Sequence, residues 1–281
     1  MTVVRGRLIL ITGAGSGIGY ETARSFANRG ANLVLADINA AALEKVRAEI
    51  AATGVQCFAH TCDVASAESV ATFAAAVQRA VGAVDVLINN AGIAFMGRFE
   101  ETPVAQWRRV FDVNVIGIVH CIQAFLPAMR AAGGSRKIVN VASAAGFAPI
   151  PNLSAYSASK HAVIGLSEVL AQELCDTNIS VLVVCPGIIN TNVVHVSATA
   201  PGITEAQLQG VRKYYQDHGC HPRVVAEDIV RSVEKDDAYV FSGPTAKAGY
   251  FLMRLSRRLA RKLTISGATK SGFLKLQGES L

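Results

Sequence analysis

Short apolar runs alternate with amphipathic stretches along most of the chain. Runs such as RLILIT (7–12) and VDVLINN (84–90) are almost continuously hydrophobic, which is typical of strands buried on both faces. The stretches between them place apolar residues three and four positions apart, and several end in glycine, as helices commonly do. The alternation predicts an α/β fold in which a doubly wound parallel sheet of about seven strands carries helices on both faces. The predicted strands are 7–12, 32–37, 56–64, 84–90, 137–143, 179–187 and 238–243.

The same pattern divides the chain into segments. No internal repeat or flexible linker interrupts the alternation before residue 244, so residues 1–243 are expected to form a single domain. Within it, residues 192–222 form a long insert after the sixth strand, predicted to be a substrate loop. Residues 244–281 are predicted to be a basic amphipathic extension. The composition, 51% hydrophobic and 17% charged, excludes a disordered chain.

The net charge of +6 is concentrated in the C-terminal extension. From Pro244 onward the chain has eight Lys and Arg residues and one acidic residue, so the preceding body carries a net charge of −1. The basicity of the whole chain therefore gives no indication of a nucleic-acid-binding body, and no nucleic-acid partner is expected.

The extension contains the segment AGYFLMRLSRRLARKLTI (248–265), whose pattern predicts one cationic amphipathic helix. Such a helix could lie on an anionic membrane surface as a peripheral contact. It could equally cover an apolar surface of the protein itself or of a partner subunit, and both options stay open. Its apolar face would be formed by Phe251, Leu252, Leu255, Leu259 and Leu263, opposite Arg254, Arg257, Arg258 and Arg261.

Two further features concern location and metal binding. No continuous apolar run reaches the ~18 residues of a membrane-spanning helix, and no leader-like segment precedes RLILIT, so a cytoplasmic location is expected. The six cysteines form no C-x-x-C pair, which favours free thiols, and no metal site is predicted.

A glycine-rich segment, TGAGSGIG (12–19), follows the first predicted strand and opens a helix. Its spacing is G-x-x-x-G-x-G, because Ile18 stands where the dinucleotide pattern G-x-G-x-x-G has its last glycine. A turn of this kind lets backbone N–H groups approach a pyrophosphate at the positive end of a helix. The residues predicted to hold the phosphates are Gly13, Gly15, Ser16, Gly17, Ile18 and Gly19.

Acidic residues follow the second and third predicted strands. Asp37 lies twenty positions after Gly17, where a carboxylate can accept hydrogen bonds from an adenosine ribose. The same carboxylate would repel a 2′-phosphate, and neither Ser16 nor Ile38 offers a positive charge, so NAD is favoured over NADP. Asp63 could meet the adenine amine. A role as a turn residue or N-cap stays open for Asp37, and a role as the N-cap of the following helix stays open for Asp63.

The segment AYSASK (155–160) places Tyr156 and Lys160 four positions apart, on one face of a helix. Alone, this spacing is also typical of a surface helix with one half-buried ring.

Together these segments resemble the short-chain dehydrogenase/reductase family from about Leu8 to Gly243. TGAGSGIG is similar to the family's glycine motif, NNAG (89–92) to the segment that stabilises its central strand, and PGIINT (186–191) to its P-G-x-x-x-T segment. The resemblance implies a Rossmann-type, NAD(P)-dependent oxidoreductase that assembles as a homodimer or homotetramer. The cofactor contacts expected beside the glycine turn and Asp37 are Asp63, Val64, Asn90, Ala91, Gly92, Tyr156, Lys160, Pro186, Gly187, Ile189 and Thr191.

The resemblance also implies a catalytic tetrad of Asn114, Ser143, Tyr156 and Lys160. Tyr156 would act as the general acid/base, with Lys160 and the oxidised nicotinamide lowering its pKa. Ser143 would hold the substrate oxygen, and Asn114 would anchor a water in a proton relay from Lys160. From the residues alone, two structural roles are equally compatible with the sequence. Ser143 could be a small residue at a strand end, and Asn114 a buried amide that forms hydrogen bonds with the backbone.

An apolar substrate is expected, because the substrate loop is rich in hydrophobic residues. A steroid-like, lipid or small hydrophobic alcohol or ketone would suit such a surface, although these side chains could also pack on the body. The loop histidine, His195, is expected to face solvent. The predicted substrate contacts are Ser143, Tyr156, Phe147 and Phe95, with Ala94, Met96, Val193, Val194, Val196, Leu208, Val211, Tyr214 and Tyr215 lining the same surface.

Two classes of function are therefore expected. The first is an NAD-dependent alcohol dehydrogenase or ketone reductase, with an NADP(H)-dependent carbonyl reductase as its variant. The second is a catalytically silent scaffold that keeps the fold and the nucleotide site. The complete tetrad favours the enzyme, since a scaffold has no need of Tyr156 and Lys160 at this spacing.

Overall fold

A computed structural model describes residues 3–191 and 198–274. Over these residues the strands are β1 (Leu8–Thr12), β2 (Asn32–Asp37), β3 (Cys57–Thr61), β4 (Val86–Asn89), β5 (Arg136–Val141), β6 (Ile179–Pro186) and β7 (Tyr239–Ser242). They form one sheet in the order β3-β2-β1-β4-β5-β6-β7, and every neighbouring pair is parallel. The change of winding direction between β1 and β4 makes the sheet doubly wound, which confirms the predicted fold class.

Helices cover both faces of the sheet. They are α1 (Gly17–Ala27), α2 (Ala40–Ala51), α3 (Ala67–Ala80), α4 (Val104–Phe111), α5 (Gly117–Ala131), α6 (Ser154–Glu173), α7 (Glu205–His218), α8 (Pro222–Lys235), α9 (Ala246–Leu255) and α10 (Arg257–Lys270). The helices α1, α2 and α8 bury their apolar sides on one face, around the fully buried Phe26. The helices α3, α5 and α6 do so on the other, around Phe73. The inner strands β1, β2, β4, β5 and β6 are buried on both sides, as their continuous apolar runs predicted, whereas the edge strands β3 and β7 are only partly buried.

One core helix is more apolar than the sequence pattern suggested. α4, a π-helical turn (Asp112–Ile116) and α5 are continuous over Val104–Ala131, with a mean hydropathy of 1.6 in the most apolar window. By length and composition alone this helix could cross a membrane, which corrects the expectation drawn from uninterrupted apolar runs, because scattered polar residues end a run while the average hydropathy of the window stays high. Its Phe125 and Met129 side chains pack into the core beneath the sheet.

The C-terminal extension forms two helices and not the single helix that was predicted. α9 ends at Leu255, and the side chain of Ser256 accepts a hydrogen bond from Leu259 N and so caps a separate helix, α10. Both helices pack on the body, since Ala246, Ala260 and Ala268 are buried. The predicted segment boundary at residue 244 stays a prediction.

Ring contacts and one hydrogen bond hold this C-terminal helical pair (α9 and α10) against the body. The ring of Tyr250 in α9 lies 4.7 Å from that of Phe241 on β7 and 5.4 Å from that of Phe147, measured between centroids. Just after α10, Phe273 is buried, its ring lies 6.1 Å from that of Tyr215, and its carbonyl accepts a hydrogen bond from the Asn152 side chain. The helical pair therefore belongs to the folded body that surrounds the site.

Candidate active site

The carboxyl ends of the central strands surround a cavity of about 780 Å³. Parallel sheets bind ligands at this edge, because the loops that leave neighbouring strands diverge there. Most of the predicted site residues line this cavity, so the structure brings them together. They are Gly13, Ser16, Gly17, Ile18, Asp37, Asp63, Val64, Asn90, Ala91, Gly92, Ser143, Phe147, Tyr156, Lys160, Pro186, Gly187, Ile189 and Thr191.

The glycine turn between β1 and α1 fits a phosphate group. Gly13 and Gly17 have φ values of +64° and +56°, which glycine adopts without strain, and a Cβ added to Gly13 would lie 2.9 Å from Ala91 Cα. Within the described residues, the Ser16 side chain caps no N–H of α1, and the first turn of this helix carries no acidic residue. The positive end of the helix is thus left for an anion, such as the pyrophosphate of a dinucleotide.

Gly15 and Gly19 support this turn from behind the cavity wall. The N–H of Gly15 donates to Asp37 Oδ2 at 2.8 Å, which joins the glycine turn to the end of β2. A Cβ added to Gly19 would collide with the Gly13 carbonyl oxygen and lie 2.6 Å from Asn90 Nδ2. These two glycines therefore shape the phosphate turn and do not line the cavity in the described part of the chain.

Asp37 and Asp63 lie in the cavity wall, and neither is a helix N-cap. Asp37 Oδ1 accepts from Asn39 N at 2.8 Å, but the N-cap of α2 is Asn39. Asp63 Oδ1 accepts from Ala65 N at 3.0 Å, and the N-cap of α3 is Ser66. The N-cap alternative is therefore wrong for both aspartates. The turn at Asp63 also ends β3 three residues before the predicted end of that strand.

The NNAG segment fastens the floor of the cavity to β1. The Asn90 side chain donates to the carbonyl oxygens of Thr12 at 2.9 Å and Gly13 at 3.2 Å, and the backbone N–H groups of Asn90 and Ala91 donate to Thr12 Oγ1 at 3.0 and 3.1 Å. Asn89 Nδ2 donates to Asn140 Oδ1 at 2.8 Å and so links β4 to β5. These hydrogen bonds fix the strand ends on which the site is built.

Tyr156 and Lys160 lie one turn apart on α6 and both line the cavity. Lys160 Nζ is 5.8 Å from the centroid of the Tyr156 ring and donates to the Val141 carbonyl at 2.8 Å. Ser143 follows β5, and its Oγ accepts a hydrogen bond from Ala145 N at 3.1 Å. This contact leaves the Ser143 O–H free as a donor, which can bond to Tyr156 or to a substrate oxygen.

The protonation equilibria of this pair differ from the expectation. Burial raises the pKa of Tyr156, and the hydrogen bond from Ser143 is the contact that opposes this rise. Burial also lowers the pKa of Lys160 to about 8. The predicted lowering of the Tyr156 pKa by Lys160 is therefore not met in the protein alone, because both groups lose hydration and the ammonium is bound to the Val141 carbonyl.

Asn114 lies behind the cavity wall, in the π-helical turn, and is completely buried. Its Oδ1 accepts from Ile93 N at 2.8 Å, and its Nδ2 donates to Ile93 O at 2.9 Å and to Ser159 Oγ at 3.0 Å. The backbone of Ile93 thus forms hydrogen bonds with both ends of the amide, as expected for a structural role of Asn114. A Cβ added to Gly92 would lie 3.3 Å from Asn114 Oδ1 and 3.4 Å from Lys160 Nζ, so this glycine leaves space between the two side chains. The proton relay stays a prediction.

The segment after NNAG supplies one expected wall residue and one that lies elsewhere. Ala94 lines the cavity, whereas Phe95 is 5% exposed and packs in an apolar cluster with Met96 and Leu153. Phe95 is therefore placed away from the described cavity wall, while Phe147 lies in it.

The substrate side of the cavity is closed by helices α7, α9 and α10. Val211, Tyr214 and Tyr215 of the predicted substrate loop line it, whereas Val193, Val194, His195 and Val196 fall in 192–197, outside the described residues. The sequence reasoning missed the contribution of the C-terminal helical pair. A stripe of small residues along α10 was the available signal, since it lets a helix approach a wall closely. These missed residues are Thr245, Ala248, Gly249, Leu252, Met253, Ala260, Leu263, Thr264, Gly267, Ala268, Ser271 and Phe273.

Comparison with known proteins identifies the family to which the chain belongs. The family model for the short chain dehydrogenases matches residues 7–202. The chain is 40% identical over 261 residues to the probable oxidoreductase EphD of Mycobacterium bovis, covering 91% of this chain but only 44% of that relative. It is 37% identical over 275 residues to dehydrogenase/reductase SDR family member 7B of Bos taurus, covering 95% of this chain and 83% of the relative.

A solved structure agrees with the fold. The crystal structure of a short chain dehydrogenase/reductase from Burkholderia phymatum in complex with NAD superposes with a TM-score of 0.86 at 29% identity, covering 92% of this chain and 96% of that one. The family model spans more than half of this chain, from β1 through the strand ends that carry the tetrad and the nucleotide turn. The chain is therefore a member of the short-chain dehydrogenase/reductase family of Rossmann-fold oxidoreductases.

Proposed function

We propose that this protein is an NAD-dependent oxidoreductase that interconverts apolar secondary alcohols and ketones. The proposal depends on one observation. A single cavity is lined by the glycine turn and Asp37, by Tyr156 and Lys160, and by apolar residues of α7, α9 and α10. A nucleotide and an apolar substrate held in this cavity would meet beside Tyr156.

The preference for NAD follows from Asp37. Its carboxylate spans Gly15 N and Asn39 N, so its position is defined by backbone on both sides. A 2′-phosphate beside it would be repelled, and the adjoining wall residues Ser16 and Ile38 carry no positive charge. Ribose hydroxyls, in contrast, are good donors to a carboxylate.

Tyr156 is proposed to exchange a proton with the substrate oxygen at its phenol. In alcohol oxidation the phenolate takes the hydroxyl proton, and in ketone reduction the phenol returns a proton to the oxygen. Ser143 donates its O–H to the same substrate oxygen. When bound, the nicotinamide supplies the hydride acceptor or donor. Lys160 has three N–H donors, of which one is used by Val141, so two can serve the hydroxyls of the nicotinamide ribose.

The substrate is proposed to be apolar. The wall opposite the glycine turn is formed by side chains such as Phe147, Tyr214, Leu252 and Met253. In the described wall, Arg109 is the one charged residue besides the two aspartates and Lys160. A steroid-like, lipid or small hydrophobic substrate would therefore find more complementary surface than a highly charged sugar.

The experiment is a turnover assay that follows NADH absorbance with a panel of secondary alcohols and ketones. Tyr156→Phe should lower kcat by about 10²–10⁴-fold, since it removes the general acid, while NADH affinity measured by fluorescence stays unchanged. A full rate in this variant would contradict the mechanism. NADH binding without turnover of any substrate would favour a scaffold, and faster turnover with NADPH would favour an NADP(H)-dependent carbonyl reductase.

Assembly and location complete the proposal. A homodimer or homotetramer is expected from the family, and light scattering of the purified protein distinguishes the two. A cytoplasmic location is tested by cell fractionation.

A further inference from the structure

The C-terminal helical pair has two sides with different surroundings. Its inner side closes the cavity, through residues such as Leu252, Ala260 and Ala268. Its outer side faces away from the body. The outer side has a composition that a solvated surface does not explain.

Large apolar side chains are exposed along the helical pair. Phe251 is 56% exposed, Leu255 84%, Leu259 47%, Leu263 54% and Ile265 40%. Five of the twelve exposed large hydrophobic residues in the described chain therefore fall within the 25 residues from α9 to α10. Isolated exposed hydrophobic residues are ordinary, but a group of this size on two consecutive helices marks an interaction surface.

Basic residues surround these apolar side chains. Seven Lys and Arg residues and no acidic residue lie between 246 and 270, whereas the rest of the chain has a net charge of −1. Arg254 donates to Tyr250 Oη at 2.7 Å, and within the described residues none of the seven forms an ion pair with an acidic side chain. The seven are Lys247, Arg254, Arg257, Arg258, Arg261, Lys262 and Lys270.

The combination of exposed apolar and basic side chains indicates which kind of partner binds this surface. A second copy of the same face would bring seven positive charges against seven others, which is unfavourable. Nucleic acid would use the charges but leave exposed leucines without a partner, since base recognition relies on polar and aromatic groups. A lipid surface with anionic headgroups satisfies both, because apolar side chains enter the acyl boundary while Lys and Arg contact the headgroups.

We propose that the outer face of the C-terminal helical pair docks on an anionic lipid bilayer. Leu263 both lines the cavity and is 54% exposed, so the cavity reaches the surface on this face. A docked protein therefore opens its cavity toward the lipid phase. The delivery of a substrate from the lipid phase to the cavity depends on the proposed apolar substrate, whereas the docking itself does not.

Co-sedimentation with vesicles tests the docking. Wild-type protein should sediment with phosphatidylcholine vesicles that contain phosphatidylglycerol and stay in solution with phosphatidylcholine alone. Arg257→Gln/Arg258→Gln/Arg261→Gln should weaken binding about a hundredfold, at about fivefold for each lost charge. Leu255→Ser/Leu259→Ser should also weaken it, because both side chains would enter the bilayer boundary.

Matched controls separate this face from general effects of charge and hydrophobicity. Lys45→Gln/Arg79→Gln/Arg130→Gln removes the same charge from exposed positions on α2, α3 and α5, and Val104→Ser/Val224→Ser removes exposed apolar side chains elsewhere. Both controls should bind vesicles like wild type. None of the substituted residues lines the cavity, so turnover of a soluble substrate should be unchanged in every variant.

Three results would overturn the proposal. They are equal sedimentation with both vesicle types, equal loss in the control and the test variants, and a change of oligomeric state in the arginine variant without loss of vesicle binding. Because the binding assay needs no turnover, a failure of docking is distinguishable from a failure of the proposed reaction.

Discussion

The nucleotide half and the substrate half of the cavity are built in different ways. The nucleotide half consists of short turns directly after β1, β2 and β4, joined by hydrogen bonds to the backbone, such as the one that Gly15 N donates to Asp37 Oδ2 at 2.8 Å. The substrate half consists of helices α7, α9 and α10, which reach the site through side-chain packing. The first half is therefore defined by local backbone geometry and the second by long-range contacts.

Two cavity-lining glycines show what this difference means for substitution. A Cβ added to Gly13 would lie 2.9 Å from Ala91 Cα, whereas a Cβ added to Gly267 of α10 would meet no described atom within 4 Å. The turn at Gly13 has no room for an added methyl group, whereas α10 has room for one at Gly267. Changes of specificity should therefore be tolerated in the second half and not in the first.

The largest effect is expected for Gly19→Ala in the nucleotide half. The new Cβ would collide with the Gly13 carbonyl and crowd Asn90 Nδ2, so the phosphate turn must move. NAD affinity should fall about a thousandfold, and the free energy of unfolding should decrease by roughly 3 kcal/mol. Calorimetric titration with NAD and urea unfolding measure the two quantities.

The control for this variant is Gly165→Ala on α6, where the added Cβ would meet nothing within 4 Å in the described structure. It should leave NAD affinity unchanged and stabilise the helix by about 0.5–1 kcal/mol. Equal effects of the two substitutions would show that the glycine turn has no special role.

The contrast between the halves also explains what the sequence could predict. The glycine turn and Asp37 were found because a strand end followed by such residues is a local pattern, and parallel topology then brings the strand ends together. The Tyr156–Lys160 pair was found from its four-residue helical spacing and from the resemblance to the family. The wall formed by α9 and α10 was not found, because the order of apolar residues in a helix does not tell which surface covers it. Leu252 turned out to face the cavity, while Phe251 beside it is 56% exposed.

The pKa shifts at the site and some local packing could not be predicted from the sequence either. The burial that raises the pKa of Tyr156 and lowers that of Lys160 depends on packing around α6 and not on the four-residue spacing. The helix break at Ser256 depends on a side-chain cap, and the position of Phe95 depends on its packing in an apolar cluster that only the folded chain defines.

Lys160 lies where the two halves meet, and its burial should appear in the pH dependence of stability. Its pKa falls from 10.5 to about 8, so between these pH values the unfolded chain binds more protons here than the folded one. Stability should therefore rise with pH across this window, by roughly 3 kcal/mol. Urea unfolding at both ends of the window should show this rise in wild type and lose it in Lys160→Met. The exposed Lys45→Met is the control, and an identical pH profile in Lys160→Met would contradict the assignment.

Asp37→Ser tests how strictly the nucleotide half selects its cofactor. The variant loses the carboxylate that repels a 2′-phosphate and accepts from a ribose, so the ratio of NADH to NADPH affinity should fall about a hundredfold. Asp63→Ser is a matched control, because Asp63 also lines the cavity but is not expected to contact the ribose. It should weaken both cofactors equally. An unchanged ratio in Asp37→Ser would remove the basis for preferring NAD.

Gly267→Leu tests the substrate half by filling the space beside Gly267 with a larger side chain. The leucine would extend into the cavity from α10, so KM for a bulky apolar ketone should rise about tenfold while NADH affinity stays constant. A smaller ketone should be less affected. Gly165→Leu places the same side chain on α6, outside the described cavity wall, and should leave KM unchanged. If both variants raised KM alike, the cavity would not extend under α10.

The smallest effect is expected for Ser256→Ala, at the break between α9 and α10. The Ser256 side chain accepts from Leu259 N at 3.3 Å, and loss of an N-cap costs about 1 kcal/mol. Amide hydrogen exchange in the first turn of α10 should become about fivefold faster, while NADH affinity and exchange in α1 stay unchanged. Ser66→Ala removes the corresponding cap of α3 and should affect only that helix. Unchanged exchange in α10 would mean that packing on the body, and not the cap, determines where the second helix begins.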